Sequence, residues 1–139
     1  MPNTYTLISS VTVGSGGASS IDFTSIPSTY TDLLVSHSIR TSRSAYHESI
    51  KLSFNGSTSS QTNRRLYGDG SSVGSTNDTL MYGGQASGAT STSNTFGNST
   101  IYIPNYAGSN YKSSSENGVS ENNATNALAD LNANLWSKI

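Results

Sequence analysis

The chain has 139 residues, of which 32% are hydrophobic and 11% charged, with a net charge of −1 and no cysteine. This length supports a single core, burying roughly 68% of the unfolded surface. The seven Lys and Arg are scattered, so no basic stripe pairs with phosphates and nucleic acid is not an expected partner. The missing cysteine removes disulfides, thiol catalysis and thiolate metal sites, and suits a reducing cytoplasm as the place of synthesis.

Ser, Thr, Asn and Gly number 29, 16, 14 and 13, so 72 positions belong to four small or polar types. Such a text is either disordered or an all-β fold with many turns. Disordered chains are usually charged or proline-rich, whereas this one has three Pro and carries eight Tyr and three Phe, many in alternating runs. An all-β fold is the reading we adopt, with residues 1–139 as one domain. A surface of hydroxyls and small groups is cheap to desolvate, which suits packing against other subunits as well as it suits a plain neutral exterior.

In chain order, Tyr5 to Val13 alternate apolar and polar and read as a strand stopped by Gly14–Gly17. Ile21 and Phe23 share a face of a second, short strand. Ile26-Pro27-Ser28 turns the chain, because Pro fixes φ and makes the residue before it extended. Leu33, Val35, His37 and Ile39 then form the inner face of a long strand, with Asp32, Ser36, Ser38 and Arg40 outside. Thr41 to Glu48 reads as a loop. Ile50, Leu52 and Phe54 mark a strand that ends at the tight-turn dipeptide Asn55-Gly56. Arg64 to Tyr67 is a short strand before the turn Gly68-Asp69-Gly70. Leu80 to Tyr82 is a short apolar run, and Gly83 to Asn94 reads as an exposed loop because it holds almost nothing to bury. Thr95 to Asn105 is a strand closed by Pro104. Tyr111 to Asn122 is a polar strand with an irregularity at Gly118. In the tail, Leu128, Leu131 and Leu135 fit a helix while Leu131, Ala133 and Leu135 fit a strand. Three Asn weaken the helix, so a strand is expected. Seven or eight short strands indicate a β-sandwich or jelly roll.

No stretch carries a firm catalytic signature. Gly70-Ser71-Ser72-Val73-Gly74 matches the G-x-S-x-G nucleophile pattern, but no helix follows to make the elbow. His37 falls on an apolar strand face and reads as a satisfied core or interface histidine. His47 sits beside Glu48 in the loop and reads as solvated, and neither has zinc-site spacing. Asp69, Asn77 and Asp78 offer oxygens to calcium at a spacing that fits no known loop. Glu116 and Glu121, five apart on a strand, face opposite sides and do not form a glycosidase pair. The sequons at Asn55, Asn77, Asn98 and Asn123 are as many as composition alone produces. No metal or cofactor is expected. The start, MPNTYTLISS, has no secretory pattern, and no apolar run approaches the ~18 residues of a membrane span.

Two clusters suit contacts. Tyr102, Tyr106 and Tyr111 gather in IYIPNYAGSNYK, where Tyr among Gly, Ser and Asn fits a protein contact or a sugar-stacking platform. The plainer reading places Tyr102 in the core and uses the others to shield an edge. Arg64, Arg65 and Asp69 form either an intersubunit pair or a plain surface cluster.

Taken together, IDFTSIPSTYTDLLV, NRRLYGDGSSVGS, STIYIPNYAGSNYKS, ENNAT and the final LWS resemble small β-rich virion proteins of marine tailed phages. The resemblance covers nearly the whole chain through texture and short motifs. It implies a non-enzymatic virion structural protein with no family active site. The first expectation is a capsid decoration or cement subunit that forms a homo-oligomer, a trimer by preference, and binds other virion proteins. The alternative is a tail-fibre or receptor-binding module that recognises host glycans. Chains of this look continue past LWS into at least one more strand, whose lack here would leave a sheet edge open, for a neighbour to fill or as the mark of a truncated or variant ending.

Overall fold

A computed structural model describes residues 5–124 and 126–138. The sequon at Asn123, whose threonine is residue 125, and the two chain ends therefore lie partly outside the described residues. Eight strands follow in order: β1 (Asp32–Ile39), β2 (His47–Leu52), β3 (Gln61–Gly68), β4 (Val73–Asp78), β5 (Met81–Ser87), β6 (Gly97–Pro104), β7 (Lys112–Glu121) and β8 (Ala127–Trp136). They form a six-stranded sheet ordered β1-β6-β7-β8-β3-β4 and a two-stranded sheet β2-β5, both antiparallel. No helix occurs among the described residues. The architecture is all-β and β-sandwich-like, as the alternating pattern indicated.

Local chemistry sets several of these elements. β1 pairs Leu33 with Ile103 and Val35 with Ile101, so the branched residues of β1 and β6 share the inner face. Asn55 and Gly56 both have positive φ, at 52° and 68°, as a primed turn requires, and the Ser57 N–H closes it on the Phe54 carbonyl at 2.9 Å. The β3–β4 hairpin is held by Asp69, whose carboxylate accepts the backbone N–H groups of Ser71 at 2.9 Å and Ser72 at 2.7 Å. The tail is a strand: β8 runs beside β7 in unbroken register from Lys112↔Trp136 to Glu121↔Ala127.

Several expectations change. Residues 5–31 form no strand; they make an exposed arm, although the apolar alternation there is real. Alternation marks a segment that gains from a sheet neighbour, and among the described residues no strand pairs with this arm. Gly83 to Ser87 is not an exposed loop but part of β5, where Met81, Gln85, Ala86 and Ser87 are wholly buried. β4 forms where no strand was expected, through its pairing with β3. Gly118 is no bulge, since β7 keeps its register through it; the sheet is irregular instead at Ile50/Lys51 of β2. Arg40 does not point outward: its guanidinium donates to the carbonyls of Ser91 at 2.9 Å, Thr92 at 3.0 Å and Thr95 at 3.1 Å, pinning the loop after β5.

β5 can be buried although it is poor in apolar bulk, because side chains of the larger sheet satisfy its backbone. The Asn134 amide donates to the Tyr82 carbonyl at 2.8 Å and accepts the Tyr82 N–H at 3.0 Å. Gln61 accepts the Met81 N–H at 3.1 Å, and the Ser99 hydroxyl accepts the Gln85 N–H at 2.9 Å. Gly84, at φ +118°, allows the close approach: a Cβ there would stand 2.1 Å from the Ser99 hydroxyl oxygen.

Candidate assembly interface

Between the two sheets the larger sheet presents more polar than apolar side chains. Ile101, Ile103, Leu128 and Trp136 are buried there, the Trp136 ring 5.8 Å from that of Phe54. Around them lie Asn63, Glu116, Asp130, Asn132 and Asn134, also buried. Asn63 donates to the side-chain oxygens of Asn132 at 2.9 Å and Asn134 at 2.8 Å. One oxygen of Asp130 accepts from Arg65 Nε at 2.8 Å, Gln85 Nε2 at 2.7 Å and Asn132 Nδ2 at 3.1 Å. Burial, then the nearby Asp130 charge, push the Glu116 carboxyl up to about 7. Gly118 leaves room for this group; a Cβ there would lie 2.6 Å from Glu116 Oε1 and 2.8 Å from Asp130 Oδ1.

Because strand side chains alternate, the outward face receives what the polar inner layer leaves out. In β8, Leu128, Asp130, Asn132, Asn134 and Trp136 point in, while Leu131, Leu135 and the alanines 129 and 133 point out. Leu131 sits directly opposite Leu66 of β3, and the two remain 59% and 61% exposed. Val119 of β7, opposite Ala129, is 50% exposed. Leu34 and Tyr102 continue the face at the β1 edge, and Val73 ends it at β4. The charged groups stand toward its margins: Asp32 begins β1, Glu121 ends β7 and Arg64 lies next to the edge strand. Sheet twist dishes this surface into an open trough of about 1020 Å³ over Leu66, Asn98, Val119 and Leu131. The outward face is thus mixed: the Leu66–Leu131 pair and Val119 stand exposed among Ser36, Ser75, Asn98, Thr100 and Asn117, while Ile101, Ile103, Leu128 and Trp136 lie on the covered side.

The residues singled out from sequence distribute as follows. Tyr102 is not core: it faces outward, and its hydroxyl donates to Asp32 Oδ2 at 2.8 Å, which raises the phenol pKa. The Tyr106 hydroxyl donates to the Pro27 carbonyl and fastens the root of the arm. Tyr111 is exposed. Two of the three hydroxyls are therefore already engaged within the chain, and Tyr102 belongs to the apolar face. Arg64 and Arg65 point to opposite faces. Arg65 is an internal partner of Asp130, its side chain 14% exposed, so it belongs to neither a surface cluster nor an intersubunit pair. Arg64 donates to the Asn63 carbonyl at 2.9 Å.

His37 turns inward but is only half satisfied: its Nε2 lies 2.7 Å from the Gly83 carbonyl oxygen, while Nδ1 is buried without a hydrogen-bond partner. His47 is not a solvated loop residue. It opens β2 half-buried, its ring centroid 4.3 Å from that of Tyr46, and burial followed by the Arg65 charge lowers its pKa. Asp69 lies in the β3–β4 turn and Asp78 ends β4, so the length of that strand, about 17 Å, stands between them. Each is engaged locally, Asp69 with the serines of its turn and Asp78 with the Tyr82 hydroxyl, and these hydrogen bonds lower both carboxyl pKa values. The Gly70–Gly74 pattern spans the β3–β4 turn rather than a strand-to-helix elbow. Glu116 points in and Glu121 out, as their spacing implied. Among the described residues no group of three or more His, Asp or Glu gathers to hold a metal ion. The outward hydrophobic face was the feature missed from sequence; its signal was the ALADLNANLW alternation, with Asp and Asn on the row that turned out to be buried.

Compared with known protein families, with characterised proteins and with solved structures, the chain matches none.

Proposed function

We propose that the chain is a non-enzymatic structural subunit of a phage virion, acting as a capsid decoration or cement protein that joins copies of itself and the shell. The observation that carries this reading is the set of large apolar side chains left exposed on the outer face of the six-stranded sheet, above a covered side rich in buried polar groups. Its covered side holds Glu116, Asp130, Asn132 and Asn134, while Leu66, Leu131 and Val119 face outward. Exposed leucines and valines of this kind, set among small hydroxyl and amide groups, gain stability when another protein covers them. The hydroxyl- and amide-rich remainder adds little desolvation cost to close packing, and the motif resemblance supplies the virion setting. A glycan-binding tail module finds less support, because Tyr102 lies on the sheet face and Tyr106 is tied to the root of the arm, so the tyrosines do not present one common stacking platform.

The test is the position of the chain in the purified particle by electron cryo-microscopy. Many copies over the capsid surface, and weaker capsids without them, are the expected result. A few copies at one vertex would overturn the decoration reading.

A further inference from the structure

The uncovered face has a counterpart in the same chain. Residues 5–31 carry Tyr5, Leu7, Val11, Val13, Ile21 and Phe23 exposed, Leu7 as much as 79%, and contain one charge, Asp22. The arm falls into two apolar-alternating halves around Gly14–Gly17, and the turn between them is already closed by the Gly17 N–H on the Gly14 carbonyl at 3.0 Å. Its root is fixed where the Tyr106 hydroxyl donates to the Pro27 carbonyl. Within one chain the arm does not cover the face. Tyr5 comes near Tyr102 at the β1 margin, yet Leu66, Leu131 and Val119 stay open.

We propose that residues 5–26 of one copy close as a β-hairpin over the outer face of the six-stranded sheet of a second copy. The inference rests on the assembly reading above and names the contact through which copies join. Hairpin closure pairs the backbone groups that an unpaired arm leaves to water, and sets one apolar row against Leu66 and Leu131. Both surfaces carry few charges: the arm has only Asp22, and on the face Arg64, Asp32 and Glu121 stand toward the margins. Reach is sufficient: each limb of the closed hairpin is about 11 residues, up to ~36 Å, whereas six strands span about 24 Å between their outer axes. A face about 24 Å by 25 Å offers roughly 600 Å² per copy. A two-stranded hairpin about 10 Å wide covers roughly 300 Å² of it, so reciprocal exchange buries about 600 Å² of the two faces and a similar area of the two arms, about 1,200 Å² in all, the lower end of a stable specific interface. If each arm passes to the next copy, the contact is head-to-tail and closes into a ring such as a trimer.

The chain has no cysteine, so the contact can be trapped cleanly. Val11→Cys and Leu131→Cys are made separately in the full chain, checked for an unchanged thermal transition, mixed and mildly oxidised. A disulfide-linked V11C–L131C heterodimer is expected, while V11C mixed with Ser42→Cys, on an exposed loop away from the face, gives at least tenfold less. No V11C–L131C link, or a link formed only inside a doubly substituted single chain, overturns the proposal. Sedimentation of a chain lacking residues 5–20 separates this inference from the reading beneath it. Loss of the oligomer supports arm exchange. An oligomer that persists means the faces pack directly, which refutes the exchange and leaves the assembly reading standing. A full chain that stays monomeric and is absent from particles refutes that reading as well.

Discussion

Leu131→Lys separates a surface that binds from a surface that folds. Leu131 is 59% exposed in the single chain. Full burial of a leucine contributes about 1.5–3 kcal/mol, so covering the exposed remainder contributes roughly 1–2 kcal/mol per copy. Lysine forfeits that gain and brings a charge to the contact, so association should weaken by at least about 5- to 30-fold. Folding should change little. The lysine stem still lies along Leu66, its directly opposed neighbour, while the ammonium reaches water, so the loss should stay below about 1 kcal/mol, the scale of a cross-strand pair. Sedimentation velocity over a concentration series reads the first effect, and the urea midpoint reads the second. Unchanged association, or a fall in stability of several kcal/mol, would refute the assignment of this face to assembly.

Asn134→Ala should be more damaging than an outward substitution such as Leu131→Lys, costing about 2–3 kcal/mol in urea unfolding, because it strips the half-buried Tyr82 N–H and carbonyl of their shared partner. Gly118→Ala should lower stability by about 1–3 kcal/mol, since the new methyl meets Glu116, Ser99 and Asp130 oxygens within 2.8 Å; little or no change in the melting temperature would contradict that packing. Stability should also fall as pH rises from the ordinary 4.5 of Glu116 toward its folded value of about 7, because the native state holds the proton that the unfolded chain releases. The full shift corresponds to roughly 3 kcal/mol, and screening through one thin layer leaves about 1–2 kcal/mol. His47, with its lowered pKa, works in the opposite direction below 6.5. Glu116→Gln should remove the downward slope in urea midpoints measured from pH 4.5 to 8, and a slope that survives would assign it elsewhere.

Strand periodicity was legible where apolar residues sit on the covered side, as in β1 and β6, where Leu33, Val35, Ile101 and Ile103 carry both the pattern and the packing. The tail was legible as a strand, but not its orientation. Leu131 and Leu135 face water because Asp130, Asn132 and Asn134 are needed beneath, to bond Arg65, Asn63 and β5. β5 itself was illegible: Gly-Gly-Gln-Ala-Ser has no apolar bulk, and its burial rests on close approach and side-chain hydrogen bonds that no local pattern records. The arm shows the reverse failure. Tyr5 to Val13 has the alternation of a strand, yet alternation specifies a face to be covered and does not supply the cover. The Tyr and Arg candidates divided for the same reason, since sequence placed Arg64 and Arg65 side by side whereas the strand turns one out and one in.

The most direct measurement is oxidative footprinting of Leu66, Leu131 and Leu135 in intact particles against the dissociated, folded chain. Strong protection of these leucines in the particle, with Leu131 freely modified in the isolated chain, is the expected result. Equal modification in both states would show that the apolar face stays open to water, and would contradict its role in assembly.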